Sequence, residues 1–168
     1  NANEFVISLG YKGELIKDYF INFHDFSTDL TINLSSGKIV RIDPQVENWI
    51  VHLLDTGIDT GTGGRIKRAM EFAGKNRVMC TYGDGVANIE IDSLLKFHKQ
   101  HGKLATLTAV RPPSRFGNLM FDGEQVIEFS EKPLVGEGWI NGGFFVLEPE
   151  VQEYIEDNSM PFEVLPLE

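Results

Sequence analysis

A chain of 168 residues, 42% hydrophobic and 24% charged, has the composition of a folded domain with one sizeable core, not of a disordered segment. Its formal net charge of −10 sets it against nucleic acid and anionic membrane surfaces, but leaves open a small phosphorylated ligand held through a divalent cation and a few local cations. No run approaches the roughly 20 apolar residues that cross a bilayer, Asn1–Ser8 has no signal-peptide pattern, and the single cysteine, Cys80, reads as a buried, inert thiol in a reducing cytoplasm.

In chain order, Glu4–Ser8 reads as a short buried strand ended by Gly10. Leu15, Ile16, Tyr19, Phe20 and Phe23 recur at helical spacing, so one helix face is expected on a core, with the aromatics from Tyr19 to Phe26 as core residues. Leu30–Leu34 alternates like a half-buried strand, and Ser35–Asn48, broken by Gly37 and Pro44, reads as a loop with an irregular strand. A strand over Trp49–Leu54 leads through a glycine-rich loop into a helix over about Arg65–Phe72, ended by Gly74. The strand Arg77–Thr81 precedes Tyr82-Gly-Asp-Gly85. Asp92 is placed to cap a helix over Ser93–His101, which Gly102 terminates. Lys103–Val110 is the next strand, Leu119–Phe121 and Gln125–Phe129 form a hairpin about Asp122-Gly123, Gly143–Leu147 is the last strand, and Pro149 begins a short helix.

Alternating strands and helices predict an α/β fold: a mostly parallel sheet flanked by helices, with an inserted antiparallel hairpin. No linker divides the chain, so residues 1–168 are expected to form one domain. The chain opens almost directly into a strand and closes as another element begins, so that domain is expected to be the incomplete, central portion of a larger one.

Ligands of open parallel sheets bind beyond the carboxyl ends of the strands, which directs attention to three segments. In Thr60-Gly-Thr-Gly-Gly-Arg65, glycines would let backbone N–H groups approach a ligand at a helix N-terminus, and Arg65 would fork onto a phosphate or base carbonyl; a flexible loop with a solvated arginine fits equally well. In Tyr82-Gly-Asp-Gly85, a carboxylate between glycines at a strand end suits Mg²⁺ beside a triphosphate, while an Asp-Gly turn is the plain alternative. In Phe129-Ser-Glu-Lys-Pro133 and Trp139-Ile-Asn-Gly-Gly143, Lys132 would meet a phosphate, and Glu131 and Asn141 sugar hydroxyls; a surface turn and a loop are the alternatives. The histidines His24, His52, His98 and His101 have no metal-ligand spacing and are read as surface or helix-face residues.

Taken together, Gly10-Tyr-Lys-Gly13, Leu54-Asp-Thr-Gly57, Thr62-Gly-Gly-Arg-Ile-Lys-Arg68, Thr81-Tyr-Gly-Asp-Gly-Val86, Arg115-Phe-Gly117, Glu131-Lys-Pro133 and Asn141-Gly-Gly-Phe-Phe-Val146 resemble the glucose-1-phosphate cytidylyltransferases, a branch of the sugar-phosphate nucleotidyltransferases. The resemblance covers essentially the whole chain, and the Thr62–Arg68 segment carries most of the cytidine assignment. It implies a Rossmann-like nucleotidyltransferase fold and transfer of a cytidylyl group from CTP to glucose 1-phosphate, giving CDP-glucose and pyrophosphate. It further implies that Asp84 is a catalytic Mg²⁺ ligand and Lys132 the catalytic cation on the sugar phosphate. Thr60, Arg65 and Gly83 match nucleotide-contacting positions, with Gly63 and Gly64 shaping that loop, and Gly117, Glu131 and Asn141 match sugar-contacting ones. A cytoplasmic homo-oligomer serving nucleotide-sugar synthesis for bacterial lipopolysaccharide O-antigen goes with the family. The family's Gly-rich loop ending in Gly-Thr-Arg, the lysine after it and a second metal aspartate have no counterpart in these 168 residues, so the chain alone is not expected to catalyse the reaction. A thymidylyl- or uridylyltransferase of the same fold, a non-catalytic nucleotide-sugar-binding module and, last, a glycosyltransferase are the competing readings.

Overall fold

The structure is a computed structural model, and it describes residues 2–42, 47–111, 118–130 and 139–164. The chain divides into two compact units, Asn1–Lys75 with Gln152–Glu168, and Asn76–Val151.

The first unit contains β1 (Glu4–Leu9), α1 (Gly13–Ile21), α2 (Phe23–Phe26), β2 (Asp29–Asn33), β3 (Lys38–Ile42), β4 (Ile50–Asp55) and α3 (Thr62–Ala73). Strands β1 and β4 pair in parallel from Glu4↔Ile50 to Leu9↔Asp55, so both carboxyl ends fall at the same edge. The helix α3 packs on β1, and the Ser8 hydroxyl donates to the Arg65 carbonyl at 3.2 Å. Leu9, Met70, Ile155, Met160 and Phe162 are the buried apolar side chains of this unit among the described residues. Burying each contributes about 1.5–3 kcal/mol.

The second unit contains β5 (Val78–Thr81), α4 (Ile91–His101), β6 (Ala105–Val110), β7 (Asn118–Asp122), β8 (Gln125–Ser130) and β9 (Ile140–Leu147). Its central sheet has the order β5-β9-β6, with β9 antiparallel to both neighbours. Strands β5 and β6 therefore run in one direction, as a strand–helix–strand repeat requires. The late strand β9 lies between them, its Phe145, Val146 and Leu147 fully buried. A 3-10 helix, Pro149–Tyr154, follows it.

Polar groups are also built into this unit. His98 is 1% exposed. One direction of donation satisfies every atom around it: the Lys103 N–H donates to His101 Nδ1 (3.0 Å), and His101 Nε2–H to the Thr106 hydroxyl (2.7 Å). That hydroxyl donates to His98 Nδ1 (2.7 Å), and His98 Nε2–H to Glu148 Oε1 (3.1 Å). Arg77 closes the chain, its Nε donating to the same Glu148 oxygen at 2.9 Å. That bond, ahead of the His98 contribution, holds the Glu148 carboxyl below the usual range.

The α/β class and the hairpin β7–β8 match the sequence reading, but several details differ. Among the described residues β1–β4 is the one parallel pair, because β9 returns from far along the chain to pair antiparallel with β5 and β6. The segment read as a loop with an irregular strand supplies β3, whose antiparallel pairing with β2 from Asp29↔Ile42 to Asn33↔Lys38 was not foreseen. Helix α3 starts at Thr62, three residues earlier than Arg65. The aromatics of α1 and α2 pack on one another, Tyr19 edge to face with Phe20 at 5.3 Å and with Phe23 at 5.9 Å, and Tyr19 and Phe26 are exposed rather than in a core. Asp92 lies inside the first turn of α4; the N-cap is Glu90, with no side-chain cap bond. Cys80 is half-buried. His98, read as a surface or helix-face residue, lies on the buried face of α4, where Thr106 and Glu148 meet both ring nitrogens.

Candidate active site

In the first unit, polar groups gather at the carboxyl ends of the parallel pair. The Leu9 carbonyl accepts from the Thr56 N–H (2.9 Å) and hydroxyl (2.7 Å) and from Arg65 Nη1 (3.0 Å). The same Nη1 reaches the Thr56 hydroxyl at 2.6 Å, and Nη2 the Ile58 carbonyl at 3.4 Å. The guanidinium lies over Gly10, where an added Cβ would stand 2.4 Å from Nη2. Arg65 thus ties α3 to the ends of β1 and β4, rather than standing solvated. Thr60 donates its hydroxyl to the Thr56 carbonyl in the same loop.

The glycines of the motif lie against the chain itself. Gly63 and Gly64 are buried in the first turn of α3, against the segment 158–160. A Cβ on Gly64 would fall 2.3 Å from the Asn158 carbonyl oxygen, and one on Gly63 2.7 Å from that of Met160. The Gly61 N–H donates to the Asn158 carbonyl (2.8 Å) and the Gly63 N–H to that of Met160 (2.9 Å), so these two donors are occupied by the chain itself. The Thr62 hydroxyl donates to Glu163 at 2.7 Å and accepts from the Phe162 N–H at 2.8 Å. Lys67 Nζ donates to the Ile155 carbonyl at 2.6 Å.

In the second unit, Asp84 follows β5 on an exposed turn, and its carboxylate makes no hydrogen bond or ion pair among the described residues. A Cβ on Gly83 would meet nothing within 4 Å, so the backbone beside Asp84 is open to close approach. Asn141 lies in β9 beside a register irregularity, where Leu107↔Phe145 gives way to Ala109↔Asn141. Its amide is held at both ends: Oδ1 accepts from the Gly143 N–H (2.8 Å), and Nδ2 donates to the Tyr82 hydroxyl (3.1 Å). Gly143 has φ +77°, and a Cβ there would stand 2.7 Å from the Tyr82 ring, so glycine is required on both counts. The Tyr82 ring in turn meets Phe145 edge-on at 5.9 Å.

Tyr82 and Thr56 are functional candidates that the sequence reading missed. The signal for Tyr82 was the pairing of a large ring after one strand with Gly142-Gly143 in another, which only the β5–β9 register brings together. Gly117, Glu131 and Lys132 lie outside the described residues. Among the described residues, no group of three or more His, Cys, Asp or Glu side chains is arranged to hold a metal, and no helix is long and apolar enough to cross a membrane.

The chain is 44% identical over 165 residues to a glucose-1-phosphate cytidylyltransferase of Salmonella typhi, covering 98% of this chain and 64% of that protein. It is 42% identical over 167 residues to a probable glucose-1-phosphate cytidylyltransferase of Bacillus subtilis, covering 99% and 65% respectively. The chain therefore spans less than two-thirds of the length of these relatives. The crystal structure of HddC from Yersinia pseudotuberculosis complexed with GMP-PN superposes with a TM-score of 0.62 at 23% identity, over 95% of this chain and 62% of that one, a likeness of fold. The family model for nucleotidyl transferases matches residues 3–163. With that match running from β1 to the segment that locks α3, the chain belongs to the nucleotidyl transferase family.

Proposed function

We propose that the protein carrying this chain is a glucose-1-phosphate cytidylyltransferase, which joins CTP and glucose 1-phosphate to give CDP-glucose and pyrophosphate. The observation that carries this assignment is the 44% identity to a cytidylyltransferase sustained over 98% of the chain. In the reaction, a phosphate oxygen of the sugar forms a bond to the α-phosphorus of CTP, and the bond from that phosphorus to the bridging oxygen breaks, releasing pyrophosphate.

Asp84 fits a magnesium ligand: it is a hard oxygen donor with no partner among the described residues, and Gly83 leaves room beside it. One carboxylate, completed by substrate phosphates and water, is a normal protein share of such a site. A magnesium ion held there would neutralise charge on the triphosphate. Arg65 and Thr60, at the ends of β1 and β4, are assigned to the nucleotide. Gly63 and Gly64 act through shape, and the backbone at Gly83 contacts the nucleotide. Asn141, with Glu131 and the backbone at Gly117, is assigned to glucose, and Lys132 to the sugar phosphate. Holding both phosphates in line accounts for much of the rate in such a transfer. A cytoplasmic location and a homo-oligomeric state go with that role.

The test is pyrophosphate release by the full-length protein from glucose 1-phosphate and Mg²⁺, with CTP, dTTP, UTP and ATP supplied separately. Release with CTP alone, abolished in Asp84→Ala, is the expected result. Release with a different nucleotide overturns the cytidine assignment, and release undiminished in Asp84→Ala overturns the role of Asp84.

A further inference from the structure

The geometry around β9 points to a positioning residue beyond the groups assigned to substrate. We infer that Tyr82 sets the orientation of the Asn141 amide, and so the affinity of the enzyme for the sugar phosphate. This rests on the assignment of Asn141 to glucose.

An asparagine amide has two chemically distinct ends, and a sugar hydroxyl that needs a donor is met only if the right end faces it. Here the choice is forced. The Gly143 N–H can only donate, so Oδ1 must face it, at 2.8 Å. Nδ2 then faces the Tyr82 hydroxyl, which accepts at 3.1 Å. An amide fixed this way keeps one Nδ2–H and one Oδ1 lone pair for a ligand, in defined directions. Asn141 is exposed, so those groups are accessible, whereas the Tyr82 ring is half-buried.

The ring that carries the hydroxyl is itself fixed. It lies in the space that a Cβ on Gly143 would occupy, and its edge rests on the buried Phe145. Gly143 thus serves twice: its N–H holds one end of the amide, and its missing side chain admits the ring that holds the other. Residues from the end of β5 and the start of β9 converge on one amide. A free asparagine side chain would sample several rotamers, and the ligand would bear the ordering. Tyr82 removes that burden beforehand.

The experiment compares Tyr82→Phe, Asn141→Ala and the double variant in the full-length enzyme, measuring KM for glucose 1-phosphate and for CTP. Tyr82→Phe keeps the ring and removes one neutral hydrogen bond. It is expected to raise KM for glucose 1-phosphate roughly 2- to 10-fold and to leave KM for CTP unchanged. Asn141→Ala should raise the sugar-phosphate KM by more, and the double variant should be no worse than Asn141→Ala alone, because the hydroxyl acts only through the amide. A Tyr82→Phe effect that persists in full on the Asn141→Ala background, or that falls equally on CTP, overturns the positioning role. If Asn141→Ala leaves the sugar-phosphate KM unmoved, the glucose assignment of Asn141 fails, and the positioning role with it. If Asn141→Ala raises that KM while Tyr82→Phe does not, only the positioning role fails.

Discussion

Gly64→Ala separates a structural from a ligand-binding role for the glycine-rich motif. Gly64 is helical, and alanine in an ordinary helix position is favoured over glycine by about 1 kcal/mol. At this position the added Cβ would stand 2.3 Å from the Asn158 carbonyl oxygen and 2.7 Å from its Cα, so backbone must move. Relief to normal contact takes a shift of roughly 1 Å, since close-packed interiors tolerate little overlap. The segment resists, because the Asp157 carboxylate accepts from both the N–H and the hydroxyl of Ser159 at 2.7 Å. Moving Asn158 also stretches its bond from the Gly61 N–H, now 2.8 Å. Overpacking costs about 1–3 kcal/mol, and a lost hydrogen bond about 1 kcal/mol. Against the propensity gain, a net destabilisation of about 1–3 kcal/mol remains. Thermal unfolding of the full-length protein reads it, at roughly 2–4 °C per kcal/mol for a domain of this size. Gly83→Ala is the contrast: no atom lies within 4 Å of its Cβ, so stability should hold while KM for CTP rises. A Gly64→Ala protein at or above the wild-type Tm would refute the packing argument.

Other outcomes follow from the same geometry. Arg65→Lys gives up the fork that joins Leu9, Thr56 and Ile58, and is expected to lower stability by about 1–3 kcal/mol and to raise KM for CTP, both read on one preparation. Glu148 has a depressed folded pKa, so its contribution is complete above the ordinary carboxylate range and is lost as the pH falls through the lower folded value. The stability gap between wild type and Glu148→Gln should therefore be widest near neutral pH and narrow below about pH 4, as followed by Tm against pH. The Thr108 hydroxyl is buried without a hydrogen-bond partner among the described residues, so Thr108→Val should raise stability by about 1 kcal/mol in a urea titration.

Local features were legible where one segment decides them. Gly74 and Gly102, at φ +70° and +63°, end α3 and α4 as read, because a residue of positive φ is a local requirement that glycine meets. The turn at Gly123, φ +59°, likewise set the β7–β8 hairpin. Long-range pairing was not legible. Nothing in β5 or β6 announces that β9 will lie between them, and β9 was read to begin at Gly143 instead of Ile140 because Gly142 and Gly143 serve a register irregularity inside a strand. The β2–β3 hairpin was obscured by Pro44, although Gly37 at φ +71° is the turn signal that pairs Leu30 and Ile32 with Arg41 and Ile39. Asp84 stood out as a candidate because its position after an apolar strand is a sequence property. Tyr82 was not, because its meaning depends on what lies across the sheet.

The Thr62–Arg68 segment sharpens that distinction. It carries most of the cytidine assignment in the resemblance, yet Thr62 is bound to Glu163 and Phe162, Gly63 to Met160, Arg65 to Leu9 and Thr56, and Lys67 to Ile155. Only backbone without side chains lets α3 approach the 158–160 segment closely enough for the Gly61 and Gly63 N–H bonds to form. That approach fixes the axis of α3, and the axis fixes where Arg65 meets the ends of β1 and β4. The nucleotide-binding role proposed for Arg65 requires that its position be set more tightly than the differences it would read. The motif is therefore best understood as a clamp that aims one arginine. Gly64→Ala and Arg65→Lys should accordingly impair CTP binding in the same sense, the first by mis-aiming the guanidinium and the second by removing it.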